Sequence, residues 1–428
     1  MELKPVAEIR DPVHGYVMMT GVEKELIDSP FLQRLRRIHQ LAGSYLVYPG
    51  ATHTRFEHVI GTMHVAGLIA ETLARNSELD VELVQEVRIA ALLHDVGHGP
   101  FSHTYEEVLT GRSHEDISQR VILETSIRDI LDRNGFSPKK MSEFAVGRQR
   151  TKEPFMNEII AGSLSADMMD YLPRDSHFTG VEYGKVDTQR VMNSLHVAQK
   201  HLVIDDAALY AFEALLLARY EMFKAVYFHR TVRAAELMLV RSMQLADKVL
   251  GLTDLSDIST YLELTDELVI HRLVTISPST PELKEAKRLA ADFNDRRLVK
   301  CVFERVVQRK EENVSLLFAD ESARERTVEA IADASGVDPG KLYLDVPTTP
   351  SVPYTYSKEV LKEVSLLKLE RNRRILRTVP LGELSLVGSI AGFMDVLRVY
   401  TTQENRAAVE KAASKLFRDE RFVETLNG

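Results

Sequence analysis

From about residue 22 to residue 300, apolar side chains return every three or four positions with few strand-like alternations. That period commits the region to packed helices rather than to sheets. One stretch shows the pattern at work. Asp80 is placed to cap a helix, Glu82 falls in its first turn, and Val84, Val87 and Ala91 form a stripe that leads to His94. Gly97, Gly99 and Pro100 follow and should stop this helix, leaving His98 and His103 on an irregular segment beyond its end. Near residue 300 the pattern changes. VKCVFERVV and KLYLDVP read as strands around the helical ERTVEAIADAS, and DVLRVYTT and ENRAAVEKAASKLF repeat the strand-then-helix order after a proline-rich loop, VPTTPSVPY. The expected fold is mostly α, with a helical domain over residues 1–300 and a smaller α+β region over 301–428.

Composition excludes several classes of protein. Hydrophobic residues at 44% and charged residues at 27% suit a globular chain and rule out wholesale disorder. The N-terminal MELKPVAEIRDP lacks an apolar signal core, and stretches such as IAALLHDV fall far short of the ~18 residues a membrane span needs, so a soluble, cytoplasmic protein is expected. The single cysteine, Cys301, leaves no intrachain disulfide and no thiolate metal site. Any metal must therefore be held by histidine and carboxylate. A net charge of −9 disfavours nonspecific attraction to long nucleic acids, while a small anion gripped by local arginines is still allowed.

The block ALLHDVGHGPFSH places His94 beside Asp95, and RFEHVIG supplies His58 upstream. Neighbouring residues on a helix diverge by about 100 degrees, so a site using both must lie at the helix end with other helices closing it. Imidazole plus carboxylate suits Mn, Fe, Co, Ni or Zn, and leaves positions open for water and a phosphate oxygen. A lone His-Asp dipeptide is common, and most buried histidines only satisfy a local hydrogen bond. Here, however, five of the 14 histidines (His58, His94, His98, His103 and His114) gather in or near one region. His64, six residues after His58 on the same expected helix, points well away from that face and reads as structural. From the residues alone, the acid that completes the site stays open between Asp167, Asp170 and Asp175.

At these residues the chain resembles the HD-domain phosphohydrolases, specifically the deoxynucleoside triphosphate triphosphohydrolases. The resemblance begins at DPVHGY and runs through SPFLQRLRRIHQLAGSYLVYPGATHTRFEH and HDVGHGPFSH to DMMDYLPRDSHFTG. It extends through RYEMFKAVYFHR and, more weakly, to KLYLDVP. It implies a helical HD core over about residues 50–180 and a divalent metal (Mn, Mg, Fe, Ni or Zn) on His58, His94, Asp95 and Asp167. His98, His103 and His114 would handle protons and phosphate charge, with Glu106 standing where animal members have an aspartate that orients a histidine. Histidine titrates near neutral pH, and such proton transfer is worth ~10²- to 10⁴-fold in rate. Gln40, Leu41, Arg55, Tyr171, Asp175, Arg219 and Tyr227 match positions that grip the nucleotide, the arginines on phosphate and Asp175 and the tyrosines near the sugar.

The departures concern substrate and control. Met168 stands where animal members have a phosphate-binding lysine, and Phe223 replaces a further histidine. The HD region starts almost at residue 1, so no N-terminal SAM domain is expected. Asp28, Gln33 and Arg36 match an activator site for GTP or a deoxynucleotide at a subunit interface, although a lysine of that site falls at Ala7. An exposed, capped helix with solvent-facing arginines explains the same three residues equally well. The resemblance also implies a homo-oligomer, dimer or tetramer. The expected reaction is hydrolysis of a deoxynucleoside triphosphate to the deoxynucleoside and inorganic triphosphate. Two other readings are set beside it: an HD phosphohydrolase acting on nucleoside monophosphates or another phosphoester, and a nucleotide-responsive oligomer or nucleic-acid-binding protein with little catalysis.

Overall fold

The structure is a computed structural model that describes residues 3–109, 111–149, 153–162, 164–308, 321–346, 363–370, 373–380 and 393–418. The first secondary structure is a hairpin, β1 (Ala7–Asp11) and β2 (Gly15–Met19), paired antiparallel with Ile9 opposite Val17. Asp11 closes its turn by accepting the backbone N–H groups of Val13 and His14, both at 2.8 Å. Helices α1 (Gly21–Ile27) and α2 (Pro30–Arg34) lead to the long α3 (Arg55–Arg75). Then come α4 (Val84–Leu93), the single turn α5 (His103–Glu106), α6 (His114–Glu124), α7 (Ser126–Arg133), α8 (Pro138–Ala145), α9 (Phe155–Ile160), α10 (Ala166–Thr179), α11 (Thr188–Met192) and α12 (Leu209–Met222).

Helices α3 and α4 are the centre of this unit, because most of their residues are buried. Val59, Met63, Val65, Ala66, Ile69 and Leu73 on α3, and Val87, Ile89, Ala90, Ala91, Leu92 and Leu93 on α4, are fully buried. Each large side chain so buried contributes roughly 1.5–3 kcal/mol over leaving it in water. Helices α4 and α10 both pack against α3. The helical ends that carry the chemistry are thus fixed to one rigid pair. The stripe expected to deliver His94 is present, but α4 ends at Leu93 and His94 forms its C-terminal cap. The reason is local: the Ser118 hydroxyl of α6 donates to the His94 carbonyl at 3.0 Å and accepts from the Gly97 N–H at 2.9 Å, which turns the chain out of the helix. A Cβ on Gly97 would lie 2.2 Å from the Ser118 nitrogen, so this close passage requires glycine.

By internal contacts the chain divides into two compact units that interleave along the sequence. One takes Met1–Met222, Asp247–Arg272 and Leu361–Val387; the other takes Phe223–Ala246, Leu273–Val360 and Gly388–Gly428. The first unit also contains strands that helical periodicity did not announce. β3 (Leu195–Ala198) and β4 (His201–Asp205) form an antiparallel pair that is extended, in the order β3-β4-β7-β8, by β7 (Glu363–Glu370) and β8 (Arg373–Pro380). Between them in the sequence lie α13 (Arg230–Leu250), α14 (Asp266–Thr275) and α15 (Pro281–Asn294).

The second unit contains the strands and helices expected after residue 300: β5 (Lys300–Gln308), α16 (Glu321–Ser335), β6 (Leu342–Asp345), β9 (Phe393–Thr401) and α17 (Arg406–Leu416). Its antiparallel sheet runs β5-β9-β6. Ile331, Leu342, Leu397, Val399, Val409 and Phe417 form its core. The proline-rich segment lies, after Val346, outside the described residues. The chain is mostly α with a smaller sheet-containing C-terminal region, as expected. Among the described residues no helix is long and apolar enough to cross a membrane.

Candidate active site

Helix α3 begins with a capping box in which Thr54 and Glu57 satisfy the first free N–H groups, and this fixes the turn that carries Arg55 and His58. His58 points inward. Its Nδ1 is 2.8 Å from Asp170 Oδ2 on α10, so with that nitrogen donating, Nε2 is the atom turned toward the centre. Asp170 is itself locked. Arg174 donates to both its oxygens at 2.9 and 2.8 Å, His14 Nε2 lies 2.6 Å from Oδ1, and Arg174 continues to Asp11 at 2.8 Å. Asp170 and Arg174 are fully buried, and a Cβ on Gly61 would lie 1.9 Å from Asp170 Oδ1. Only glycine on α3 lets this pair press so close.

His94 is prepared in the same way, its Nδ1 donating to the Ala91 carbonyl at 2.7 Å. His58 Nε2 and His94 Nε2 are then buried without a hydrogen-bond partner. Around them stand Asp95, 3.2 Å from His94 Nε2 and 3.4 Å from His58 Nε2, and Asp167, whose Oδ1 is 3.1 Å from His58 Nε2 and 3.7 Å from His94 Nε2. Ligands bonded at ~2.0–2.2 Å to one ion stand about 3.0–3.5 Å apart, so His58, His94 and Asp167 are spaced to hold a divalent cation, with Asp95 beside both histidines. His58, His94 and Asp167 form one of two metal-capable groups among the described residues. Asp167 sits in the first turn of α10 and keeps 37% of its side chain exposed, so the centre opens to solvent.

The electrostatics favour a cation. Burial would raise the Asp95 carboxyl, but the charges of His94, His98 and Arg55 outweigh it and hold it well below the usual carboxylate range. Burial likewise opposes ionisation at Asp167 and Asp170, and their partners overcome it: His58 and His94 for Asp167, Arg174 for Asp170. Burial would lower His58, yet the carboxylates of Asp167 and Asp170 raise it to about 10. A metal at this centre must therefore displace a proton.

Beyond Asp95 lies the second metal-capable group, His98, His103, Glu106 and His114. Glu106, whose extra length over aspartate left its contact open, reaches both neighbours: Oε1 is 2.5 Å from His114 Nδ1 and 3.3 Å from His103 Nδ1. The His98 ring stacks on His114 with centroids 3.9 Å apart, and its Nε2 lies 3.4 Å from Asp95. Burial would raise Glu106, but hydrogen bonds from His103 and His114 hold it well below its ordinary value. Burial would lower His114, and Glu106 raises it instead. The turn before His103 is strained, with Phe101 and Ser102 at φ of 59° and 56°. Asp266 accepts the Phe101 N–H at 2.7 Å, Ser102 Oγ donates to the His39 carbonyl at 2.6 Å, and these bonds hold the turn in place.

The residues expected to grip a nucleotide are placed as follows. Arg55 bonds Asp95 and Ser102 at the edge of the centre. Gln40 is buried with Oε1 unpartnered, and Leu41 beside it is half-buried. Tyr171 and Arg219 are hydrogen-bonded to each other, and Asp175 pairs with His53 at 2.8 Å. Met168 is buried, its sulfur 3.7 Å from Arg219 Nη1. Tyr227 belongs to the second unit and packs edge-on against Phe223. Asp28 pairs with Lys24 at 2.6 Å, while Arg36 donates to Gln33 at 2.9 Å and covers the Phe56 ring. His64 packs against the His14 ring, in keeping with a structural role. Sequence reasoning missed Asp170, Arg174, Asp11 and His14 as supports; the spacing of Asp170 and Arg174 by four was the available signal.

A helical unit in which two histidines and two aspartates frame one cation position, each histidine fixed through its other nitrogen, defines an HD-type metal site. The chain belongs to the HD-domain family: the HD domain matches residues 55–172 and the HD-associated region matches residues 186–422. It is 37% identical over 276 residues to an uncharacterized protein of Methanocaldococcus jannaschii, covering 62% of this chain and 57% of that one. It is 32% identical over 319 residues to the deoxynucleoside triphosphate triphosphohydrolase SAMHD1 homolog of Dictyostelium discoideum (70% and 60% covered). To the Homo sapiens deoxynucleoside triphosphate triphosphohydrolase SAMHD1 it is 28% identical over 356 residues (69% and 55% covered). The matches thus span somewhat over half the length of these relatives. Among solved structures, a hypothetical protein from Aquifex aeolicus is similar with a TM-score of 0.75 and 31% identity, covering 95% of this chain and 99% of that one.

Proposed function

We propose that the protein is a metal-dependent phosphohydrolase that cleaves deoxynucleoside triphosphates to the deoxynucleoside and inorganic triphosphate. The observation that carries the reading is the pair of unpartnered Nε2 atoms of His58 and His94 facing Asp95 and Asp167, with Arg55 and the His98–His114 group alongside. Similarity to the Dictyostelium and human triphosphohydrolases supports the substrate class.

His58, His94, Asp95 and Asp167 would hold a divalent cation, which when bound would supply Lewis-acid activation for phosphate hydrolysis. The protein's own groups do the rest. Arg55, bonded to Asp95, presents its remaining guanidinium N–H groups to phosphate oxygens. Water adds to the α-phosphorus, the bond from phosphorus to the 5′-oxygen breaks, and the leaving oxygen takes a proton. His114 is the proposed donor, because Glu106 keeps it protonated above the ordinary histidine value; exposed His103 is placed to relay a replacement from solvent. Tyr171 and Asp175 take the sugar side, Gln40 and Leu41 border the nucleotide, and Arg219, bonded to Tyr171, completes the phosphate contacts.

A second reading, hydrolysis of nucleoside monophosphates or another phosphoester, is favoured by Met168, which offers a phosphate no charge. We also propose a homo-oligomer in which Asp28, Gln33 and Arg36 take an activating nucleotide. Chromatography of the products from each canonical deoxynucleoside and ribonucleoside triphosphate, with and without GTP, tests these readings. Free deoxynucleoside with triphosphate supports the first; nucleoside monophosphate with pyrophosphate excludes that cleavage position.

A further inference from the structure

Ser102 holds a backbone conformation that suits glycine. Its φ of 56° and ψ of −125° lie outside even the small left-handed region that other residues visit, and Phe101 before it also has a positive φ, 59°. The turn is held there from outside. Asp266 Oδ1 accepts the Phe101 N–H at 2.7 Å, while Oδ2 accepts the His39 N–H at 2.9 Å and faces His39 Nδ1 at 2.7 Å. One buried carboxylate thus joins the strained turn to the residue before Gln40. A glycine at position 102 would follow the same course without strain, so the serine side chain comes at a cost.

What the serine adds is a hydroxyl with two fixed partners. Its single proton goes to the His39 carbonyl at 2.6 Å, which leaves the oxygen to accept the Arg55 Nε–H at 2.9 Å. Both residues are buried, and Arg55 Nη1 donates to Asp95. A guanidinium is planar, so fixing Nε on Ser102 and Nη1 on Asp95 sets the plane and with it the place of the third nitrogen. We infer that Ser102 is a positioning residue for Arg55: the strained turn places one oxygen so that the guanidinium is aimed before any anion arrives. An arginine preset in this way gives up less freedom when it takes an anion, and binds it more tightly for that reason. The inference rests on the reading above only for what Arg55 holds, a phosphate; the contact between Ser102 and Arg55 stands without it.

Two variants separate the hydroxyl from the strain. Ser102→Ala removes the hydroxyl and keeps the strained backbone, whereas Ser102→Gly removes both, so the glycine variant should melt at the higher temperature of the two. NMR of the arginine Nε–H groups in ¹⁵N-labelled full-length protein reads the contact without turnover, the Arg55 signal being assigned by its loss in Arg55→Lys. That proton should exchange with water at least ~10-fold faster in both Ser102 variants than in wild type. Inorganic triphosphate, titrated by calorimetry, should bind both variants about tenfold more weakly than wild type. A serine that only shaped the turn would leave both readings at wild-type values in Ser102→Gly. In that variant, unchanged exchange, or unchanged affinity where Arg55→Lys weakens it, overturns the inference. A triphosphate affinity that Arg55→Lys itself leaves unchanged is instead a failure of the phosphate reading, and the Nε–H exchange still decides the role of Ser102.

Discussion

Asp170 Oδ2 lies 2.8 Å from His58 Nδ1, and the same carboxylate is held by both Arg174 and His14. The N-terminal hairpin is thereby connected to the metal centre: Asp11 grips Arg174, Arg174 grips Asp170, and Asp170 sets the ring that would bind the cation.

Asp170→Asn keeps the shape but weakens the acceptor that orients His58. Metal affinity should fall ~10- to 100-fold with the fold retained, as for other partners of ligating histidines. Chelator competition measures this, and an unchanged affinity contradicts the role. Asp170→Ala removes the main partner of buried Arg174, and thermal or denaturant unfolding should report a loss of about 3–5 kcal/mol.

Gly61→Ala tests the packing beneath that pair. The new methyl would start 1.9 Å from Asp170 Oδ1 and 2.2 Å from Arg174 Nη2. Overpacking should cost about 1–3 kcal/mol, and metal affinity should fall with it, because Asp170 cannot move without turning His58. A variant with wild-type stability and affinity would show that the pair yields freely.

The pH dependence follows from His114 and Glu106. Against the effect of burial, Glu106 raises His114 above its ordinary 6.5, so His114 keeps its proton to a higher pH than a free histidine and loses it as pH rises further. An acid of this kind gives a rate that falls on the alkaline side, with the midpoint above 6.5. Glu106→Gln removes the charge and should move that limb to lower pH in a kcat profile; an unmoved limb assigns the acid elsewhere.

Much of this was legible in the sequence for a physical reason. His94 and Asp95 are adjacent, and the stripe of Val84, Val87 and Ala91 aims them inward, so local periodicity suffices. Asp167, Asp170 and Asp175 share one helix, and which of them faces His58 Nε2, His58 Nδ1 or His53 depends on how α10 crosses α3, a tertiary fact that the resemblance alone supplied for Asp167. β3 and β4 escaped because β4 finds its outer neighbour, β7, only after residue 363: Ile204 pairs with Leu366. Such long-range pairing overrides a helical background. Phe101 and Ser102 likewise leave no local signal, since their left-handed backbone is enforced by Asp266 and His39 from elsewhere in the chain.

Met168→Lys gives a further expectation. An ammonium placed at this buried position sets a second cation beside Arg219 and takes it out of water, so the ligand-free protein should lose stability. If the triphosphate lies here, added triphosphate should restore the melting temperature of the variant more than that of wild type. Equal shifts would place the phosphates elsewhere.

The most direct measurement of the central claim is ³¹P NMR of deoxynucleoside triphosphate turnover in ¹⁸O-labelled water, with Asp95→Ala as the control. The account predicts intact inorganic triphosphate with ¹⁸O on one terminal phosphorus, unlabelled deoxynucleoside, and no turnover in the variant. Label in pyrophosphate, a monophosphate or the nucleoside, or undiminished turnover by Asp95→Ala, would contradict it.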